Sequence, residues 1–405
     1  MCFCKNVMIK KYKTRDRWIL LSVITLSILG VIMVGSASIG LASVRGWRWA
    51  IMNMAKQIIF CTIGLFFMTG FSKFYKGTFL NRNTWFIFYI IMILALLSCL
   101  IWEGEKGTQA WIRLIPGFTI QPSEFTKIGM MILLAYLFVD MPKRFRLKPT
   151  NYYRSALHYR EAIKRRAINC KYIPAIIVLG LVITVAFIQK DMGTAIITLM
   201  ICVACFFGAR EKIYLRYQNF IIAVGLIVLI TSPIWYKVII QGYKKSRFIT
   251  WLNPLVDPTN TSQQVANALI AITNGGIFGT GLGNSIQKYG YVPEVHNDFI
   301  TSVIFEELGL FGLALIMVPY AIIVFKLISY ASKSKDPKTT IILLGISAYF
   351  FLHLFINLGG VSGLIPMTGV PLLLVSSGGS STLAAFIAIG IAQALISKDN
   401  KNSTQ

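Results

Sequence analysis

The sequence predicts an all-α polytopic membrane protein, and three of its features support this fold class. Of its 405 residues, 56% are hydrophobic, a share far above that of a soluble domain of this length. The mean hydropathy is +0.66. Apolar segments of about the 20 residues that a helical span needs recur along the whole chain. We therefore expect a bundle of transmembrane helices.

Ten apolar segments are long enough, or nearly so, to cross a membrane. The fifth and sixth are separated only by Gln189-Lys190-Asp191-Met192, so one very long helix is the alternative at that point. Lys and Arg are concentrated in the loops that ten transmembrane helices would place on the side of the N-terminus, which favours ten spans with both termini in the cytoplasm. The predicted spans cover residues 19–41, 50–71, 84–102, 122–139, 172–188, 193–209, 219–240, 299–327, 340–361 and 379–397.

These spans divide the chain into three regions. Residues 1–18 form a basic cytoplasmic N-terminus, residues 19–397 a single membrane domain, and residues 398–405 a cytoplasmic tail. A large extracellular loop, residues 241–298, separates the seventh and eighth helices. The first apolar run could also be a secretory signal peptide, but it is long for one and nine further spans follow, so we treat it as a retained helix.

The formal net charge of +25 raises the question of a nucleic-acid partner. The basic residues fall in short blocks between apolar runs, which is typical of topology determinants in membrane proteins. We therefore expect no nucleic-acid partner. The three histidines are too scattered to suggest a zinc site, and no closed metal site is visible. Neighbouring carboxylates leave Mg²⁺ or Mn²⁺ as an option.

Ionisable residues gather between residues 281 and 309, beside and within a long apolar run. Such side chains are costly at membrane depth and normally face a bundle interior or a wet cavity, so the cluster marks a functional site in an enzyme or a transporter. Its members are Glu294, His296 and Asp298 at the lip of the run and Glu306 and Glu307 inside it.

Two outer loops are longer than simple connections need to be. They are residues 102–121 and the loop of residues 241–298. In the second, residues 261–276 have the apolar spacing of a short amphipathic helix at the outer surface. The glycine-dense run at 275–285 follows it, and a flexible loop and a phosphate cradle remain equal alternatives for this run.

Seven motifs, read in order, resemble one family. They are MVGSAS at 33–38, KGTQAWI at 106–112, QPSEFTK at 121–127, QKDMGTA at 189–195, GLGNSIQKYGYVPEVHNDFI at 281–300, EELGLFG at 306–312 and PMTGVPLLLVSSGGSS at 366–381. By these motifs the chain is identified as a member of the SEDS family (shape, elongation, division and sporulation), which includes FtsW, RodA and SpoVE. MVGSAS and GLGNSIQK are more similar to the FtsW and SpoVE branch. The chain departs from the usual family pattern at Lys190, Asn297 and Ser377, where Pro, Thr and Tyr are usual.

The resemblance implies a peptidoglycan glycosyltransferase that polymerises lipid II into glycan strands and releases undecaprenyl diphosphate. It also implies a class B penicillin-binding protein transpeptidase and other divisome membrane proteins as partners, in the bacterial plasma membrane at the division septum. A lipid II flippase and a scaffold for the transpeptidase are the alternatives. A role in division, sporulation or elongation is left open.

Asp298 is the candidate general base of the implied reaction. An inverting sugar transfer needs a base for the acceptor hydroxyl, whereas the diphosphate leaving group needs cations. Asp298 lies where the long loop enters the eighth span, and we expect Asn297 to cap that helix, with Asp298 in its first turn. The alternative is that Asp298 only starts a helix.

Other polar residues are assigned to substrate or to the cavity wall. Trp111 can stack on a sugar, which the resemblance favours, or sit in an interfacial belt. Glu294 and His296 would orient the acceptor or tune Asp298, and Glu124 and Lys127 share one helical face, where they form a structural bridge or line the cavity. The candidate diphosphate ligands are Arg113, Arg247 and Lys288, and the residues assigned to cavity or structural roles are Gln121, Gln189, Asp191, Glu306, Glu307, Ser376 and Ser380.

Overall fold

A computed structural model gives the structure of the chain, which is mainly helical. It describes residues 15–402 except 78–79, 103, 105–106, 116–117, 154, 240–250, 252–262 and 293–294. Between α1 and α2 lies a one-turn helix, and a 3-10 turn, Ser98–Ile101, extends α3. The main helices are α1 (Arg17–Gly40), α2 (Trp47–Phe74), α3 (Thr84–Leu97), α4 (Pro122–Arg144), α5 (Ala156–Ile188), α6 (Met192–Phe207), α7 (Lys212–Ile239), α8 (Gln263–Gly275), α9 (Ile300–Lys333), α10 (Pro337–Val361) and α11 (Gly379–Asn402).

A helix lies at each of the ten predicted spans, and α8 is an additional helix within the long loop. Within the described part of the chain, eight helices are long and apolar enough to cross a membrane, judged by length and composition. They are α1 to α5 and α9 to α11. The apolar helix α6 has only 16 residues, and α7 is not among the eight. The chain is thus a multi-pass membrane protein with eight candidate spans.

Several helices begin where the sequence supplies a cap for their first backbone N–H groups. The Asp16 carboxylate accepts from the N–H groups of Trp18 and Ile19 at the start of α1. Asp336 caps α10 through the N–H of Lys338, and proline follows the cap in both α4 and α10. These caps satisfy backbone groups that would otherwise lack a partner in the helix.

The fifth and sixth spans are two helices, so the alternative of one long helix is wrong. Lys190 adopts a positive φ of 58°, and Asp191 caps α6 by accepting from the N–H of Thr194 at 3.0 Å. Helix α5 starts earlier than predicted, at Ala156, where Ser155 provides the cap. It is 33 residues long, or about 50 Å. The basic segment before the predicted fifth span is therefore partly helical.

A β-hairpin interrupts the otherwise helical architecture, in a departure from the all-α prediction. The antiparallel strands β1 (Ile112–Ile115) and β2 (Phe118–Ile120) pair Ile112 with Ile120 and Arg113 with Thr119. Both strands lie in the loop before α4. They follow Trp111, so the hairpin places this loop against the mouth of the bundle, where Thr119 lines a cavity described below.

Helix α8 and the glycine-dense run fold back onto α9, which is kinked at Gly309 with φ 60° and ψ −146°. Backbone hydrogen bonds join Thr280 N–H to the Glu306 carbonyl at 2.8 Å and Leu310 N–H to the Ile277 carbonyl at 3.0 Å. A Cβ at Gly279 would lie 2.2 Å from the Glu307 carbonyl oxygen. Gly275 and Gly279 therefore serve close packing of backbone on backbone.

Like the glycine-dense run at 275–285, which is the first re-entrant stretch, the segment of residues 362–378 turns back into the bundle. It is the second re-entrant stretch and lies between α10 and α11. Its residues 372–375 are fully buried, and the Tyr320 hydroxyl donates to the Leu373 carbonyl at 2.7 Å. Leu374 adopts a positive φ of 66°, and α1 approaches it so closely that a Cβ at Gly30 would lie 2.5 Å from the Leu374 carbonyl oxygen. The bundle core thus encloses residues 372–375, and the preceding residues, 368–371, line the cavity described below.

Helices α4 and α11 form the centre of the bundle. In each, 83% of the most apolar window is buried, against 17% in α3. The apolar surface left on α3 is the surface that a membrane would cover. Polar residues on α4 and α11 are therefore enclosed by protein, which is where ionisable side chains in membrane proteins are normally found.

Candidate active site

A cavity of about 510 Å³ lies at one end of the bundle, the end that the predicted topology assigns to the outside. Residues from the first turns of α4 and α11, from the start of α6 and from the loop just before α9 line it. Four helix N-termini therefore converge there, and their dipoles favour negative charge. The polar lining residues include Asn53, Lys56, Gln57, Thr108, Trp111, Thr119, Gln121, Glu124, Lys127, Asp191, Thr194, His296, Asn297, Asp298, His353, Thr368, Ser377, Ser380 and Ser381.

Asp298 lines this cavity and is half-buried. It lies just before α9, not in its first turn, and the helix cap is Phe299, which makes no side-chain capping bond. The expectation that Asn297 caps the helix is therefore wrong. The Asp298 carbonyl accepts from Asn357 Nδ2 at 2.8 Å, while Ser302 N–H donates to the Phe299 carbonyl. The Asp298 carbonyl thus contacts α10, and α9 starts two residues later, at Ile300.

The space beside the Asp298 carboxylate is kept open by glycine. Gly369 lines the cavity from the second re-entrant stretch with a φ of +73°, and a Cβ built there would lie 3.3 Å from Asp298 Oδ2. Any larger residue at this position would be strained and would crowd the carboxylate. The cavity wall next to Asp298 is therefore shaped by the backbone of residues 368–371.

A fully buried polar network forms the floor of the cavity. Lys127 Nζ lies 2.7 Å from Glu124 Oε1 and 3.2 Å from His353 Nε2. Tyr349 donates to Glu124 Oε2 at 3.1 Å. His353 Nδ1 lies 3.1 Å from the Pro371 carbonyl, which can only accept, so Nδ1 carries the proton and Nε2 accepts from Lys127. Each charged group of the network is thus paired, as burial demands.

His353 was missed by the sequence analysis, as was Lys56. A lone histidine inside an apolar span is itself a signal, since ionisable groups at membrane depth are rare. Lys56 is half-buried on α2 and lies 5.8 Å from the centre of the Phe118 ring. It brings a second lysine to the cavity beside Lys127.

The remaining lining residues bring several predicted positions together. Gln121 connects two helices, since its N–H donates to Ser380 Oγ at 2.9 Å and its Nε2 to Asp191 Oδ2 at 3.2 Å. His296 is buried and its ring meets the Trp49 ring edge-on, with 5.2 Å between centroids. Trp111 lines the mouth of the cavity.

Other predicted site residues lie elsewhere. Lys288 does not line the cavity, because it is buried in an ion pair with Glu307, 2.8 Å away, as a buried lysine requires. Glu306 accepts from the Gln287 N–H at 3.2 Å and from the Ser285 hydroxyl. Arg113 is exposed on β1. Gln189 donates to the Leu96 carbonyl, and Ser376 accepts from the Leu372 N–H. Arg247 and Glu294 fall outside the described residues.

A ready-made metal site is not apparent. Among the residues that the structure describes, no group of three or more His, Cys, Asp or Glu side chains is arranged to hold a metal ion. The Glu124 carboxylate is already engaged by Lys127 and Tyr349. The cavity is lined by two half-buried carboxylates, Asp191 and Asp298, and by two lysines. Asp191 is engaged by Gln121 and by the Thr194 N–H. With four helix N-termini nearby, the arrangement suits proton acceptance and anion binding.

Comparisons with known proteins identify the family of this chain. The family model FTSW_RODA_SPOVE, described as "Cell cycle protein", matches residues 16–401. The probable peptidoglycan glycosyltransferase FtsW of Bacillus subtilis is 33% identical over 399 residues, covering 94% of this chain and 90% of that protein. The FtsW of Geobacter sulfurreducens is 30% identical, with 95% of each chain covered. Stage V sporulation protein E of Bacillus subtilis is also 30% identical, covering 92% and 95%.

Solved structures share the fold. A chain from the structure described as "Structural coordination of polymerization and crosslinking by a peptidoglycan synthase complex" superposes with a TM-score of 0.67 at 22% identity, covering 96% of this chain and 98% of that one. The rod shape determining protein RodA of Thermus thermophilus gives a TM-score of 0.59 at 21% identity, with the same coverage. On the family match and the relatives together, the chain belongs to the FtsW, RodA and SpoVE family of cell cycle proteins.

Proposed function

We propose that this protein is a peptidoglycan glycosyltransferase that polymerises lipid II into glycan strands. Its FtsW and SpoVE relatives, 30% to 33% identical over nearly the whole chain, support the proposal. The observation that carries it is the cavity in which Asp298, Lys56 and Lys127 line one space. A carboxylate base and cationic groups suit the transfer of a sugar from a lipid diphosphate.

In the proposed reaction, Asp298 is the general base. Its carboxylate accepts the proton of the acceptor 4-hydroxyl as that oxygen forms a bond to the anomeric carbon of the donor sugar. The bond from that carbon to the diphosphate oxygen breaks on the opposite face, with inversion, and undecaprenyl diphosphate leaves with the electron pair. Positioned base catalysis of this kind typically contributes about 10²–10⁴-fold in rate.

The leaving diphosphate is stabilised by Lys56 and by the helix N-termini. Lys127 also lines the cavity, but Glu124 and His353 already engage its ammonium group. Lys56 is half-buried and faces the same space, so it takes the role that the sequence analysis gave to Arg113 and Lys288. The helix dipoles at the starts of α4, α6 and α11 add a field that favours the growing negative charge.

Trp111 and His296 bind the sugars in this proposal. Trp111 offers an aromatic face at the cavity mouth, where a sugar ring can stack. His296 lies two residues before the base along the chain, and its ring is held edge-on against Trp49. In this position it orients the acceptor. The predicted roles of Arg247 and Glu294 stay predictions.

The proposal includes a topology, a location and a partner. Ten spans with both termini in the cytoplasm place the cavity at the outer face of the plasma membrane, where lipid II headgroups are presented, and the division septum is the expected site of action. A class B penicillin-binding protein transpeptidase is the expected partner, alongside other divisome membrane proteins. The similarity of fold to a chain of a peptidoglycan synthase complex supports such a partnership.

The test is polymerisation by the purified full chain together with its cognate transpeptidase, supplied with lipid II. Asp298→Asn removes the proton acceptor with little change in shape, so glycan polymer should fall by about 100-fold or more. Glu161→Gln is the matched control, since Glu161 is exposed on α5 far from the cavity.

Two results would overturn the proposal. If a folded Asp298→Asn variant polymerises lipid II as fast as the wild type, Asp298 is not the general base. If the wild type makes no polymer but carries lipid II across the bilayer of reconstituted vesicles, the protein is a flippase.

A further inference from the structure

Asn357 is a fully buried residue on α10 that joins three parts of the molecule. Its Nδ2 donates to the Asp298 carbonyl at 2.8 Å and to the Val370 carbonyl at 2.8 Å. Its Oδ1 accepts from the Thr301 hydroxyl at 2.6 Å. With only 1% of its surface exposed, the amide is enclosed by protein. Both N–H groups of its nitrogen donate to carbonyls, and its oxygen accepts from a hydroxyl.

The orientation of this amide follows from its neighbours. The carbonyls of Asp298 and Val370 can only accept, so the atom that faces both must be the nitrogen. The Thr301 hydroxyl then has to donate to the remaining oxygen. Thr301 therefore fixes the amide of Asn357, and the amide in turn fixes the two carbonyls.

The two carbonyls belong to the two segments that shape the cavity beside the candidate base. Asp298 carries the carboxylate, and Val370 follows Gly369, whose missing side chain leaves room for Asp298 Oδ2. One side chain thus sets the carboxylate-bearing segment against the wall that receives it. The Asp298 carbonyl accepts from Asn357 Nδ2, and Asp298 lies before the start of α9 at Ile300.

We propose that Asn357 is a positioning residue that, together with Thr301, holds the Asp298 carboxylate in its reactive place against residues 369 and 370. The inference rests on the proposed function, since it takes Asp298 to be the base. A merely structural role is the alternative: a buried amide that satisfies two carbonyls and packs α10 on α9. The two roles differ in what their loss does to the segment of residues 295–301 and to the rate of the chemical step.

Thr301→Val is the mildest test, because valine keeps the shape of threonine and removes only the donor to Asn357. Thr340→Val is its matched control. Thr340 is also a buried threonine at an α9–α10 contact, with its hydroxyl 3.1 Å from the Ala331 carbonyl, but it lies at the other end of both helices. Asn357→Asp is the stronger variant, since a carboxylate oxygen would face two carbonyl oxygens.

Each variant is measured as the full chain with its transpeptidase, for hydrogen exchange of residues 295–301, for the lipid II dissociation constant and for kcat. The proposal expects faster exchange in this segment, kcat lower by about 10- to 100-fold and a dissociation constant within about threefold of wild type. Thr340→Val should lower thermal stability by a similar amount. It should leave the hydrogen exchange of residues 295–301, the lipid II dissociation constant and kcat unchanged.

Two outcomes would overturn the inference. One is exchange in residues 295–301 that is no faster in Thr301→Val than in Thr340→Val. The other is a kcat that is the same in these two variants. Should Asp298→Asn retain full activity, the proposed function fails by that result, whereas the exchange measurement still decides whether Asn357 holds the segment.

Discussion

Lys288 Nζ lies 2.8 Å from Glu307 Oε1, with the lysine side chain 2% exposed and the glutamate side chain fully buried. The Ser36 hydroxyl of α1 donates to the same carboxylate oxygen at 2.6 Å, and Lys288 Nζ also reaches the Gly283 carbonyl at 2.6 Å. The pair therefore fastens the glycine-dense run to the kinked helix α9 and to α1. It is a structural connection, separate from the cavity that holds Asp298.

Removing one member of this pair should be far more harmful than removing both. Lys288→Met leaves the Glu307 carboxylate buried without its cation, which typically costs about 3–5 kcal/mol of folding free energy. The double variant Lys288→Met/Glu307→Leu replaces a buried ion pair by apolar groups, a change that is often close to neutral. Thermal unfolding of the purified chain measures both.

The control for this prediction is Lys338→Met. Lys338 pairs with Asp140, but both side chains are partly exposed, at 24% and 30%, and such pairs contribute about 1 kcal/mol or less. A double variant that unfolds as easily as Lys288→Met alone would contradict the prediction, because the damage would then come from lost packing and not from the unpaired charge.

Gly279→Ala should loosen the contact between the glycine-dense run and α9. A Cβ there would lie 2.2 Å from the Glu307 carbonyl oxygen, against backbone that cannot move aside. Gly283→Ala is the matched control, because Gly283 also has a positive φ, +86° against +78°, but has open space around it. Both variants carry a backbone strain of about 1–2 kcal/mol, and only Gly279→Ala adds a clash.

Thermal unfolding of the two glycine variants separates these effects. We expect Gly279→Ala to unfold at a clearly lower temperature than Gly283→Ala, and its Lys288–Glu307 region to exchange hydrogen faster. Equal melting temperatures would mean that the backbone of α9 yields at its Gly309 kink, contrary to the close packing argued above.

Hydropathy and short-range periodicity predicted the structural features that are set by residues close together in the sequence. The positions of the spans follow from apolar run length. The Glu124–Lys127 contact follows from a spacing of three on one helix. Both features are local, so the sequence alone contains enough to locate them.

The contacts that complete the site are not local, and this is why sequence analysis missed or misplaced them. Lys288 looked like a diphosphate ligand because nothing in its own segment reveals Ser36, 252 residues away, as its neighbour. Lys56 and His353 each stand alone in an apolar span, and only the packing of α2 and α10 brings them to the cavity. The positive φ of Leu374 and the two re-entrant segments likewise depend on what surrounds them.

Gly369→Ala should impair catalysis more than stability. The alanine methyl would lie 3.3 Å from Asp298 Oδ2, so the carboxylate would have to shift, and the φ of +73° would be strained. A displaced base loses much of the rate that positioning provides, so polymerisation should fall by about 10- to 100-fold. Gly363→Ala is the control, with a φ of +74° and only Leu269 nearby, at 3.9 Å.

The two alanine variants should therefore melt at similar temperatures and differ in lipid II polymerisation. If Gly363→Ala and Gly369→Ala polymerise equally well, crowding of Asp298 does not limit the reaction. If both fail to polymerise while remaining folded, backbone strain in the re-entrant stretch is the cause, and the specific contact to Asp298 is not.

Lys56→Met should weaken the binding and stabilisation of the leaving diphosphate, because it removes a cation from the cavity. A hydrogen bond to a charged group contributes about 1.5–3 kcal/mol, so kcat/KM for lipid II should fall by about 10- to 100-fold. Lys56→Arg keeps the charge and should stay within about threefold of wild type. Inhibition by added undecaprenyl diphosphate, measured in the same assay, should weaken in Lys56→Met by a comparable factor.

Lys73→Met provides the control for Lys56→Met, since Lys73 is exposed in the last turn of the same helix, α2, away from the cavity. It should leave both kcat/KM and inhibition by undecaprenyl diphosphate unchanged. If Lys56→Met lowers the rate while inhibition by undecaprenyl diphosphate stays at the wild-type level, Lys56 contacts the acceptor and not the leaving group. The diphosphate would then have to be bound by the helix N-termini and Lys127.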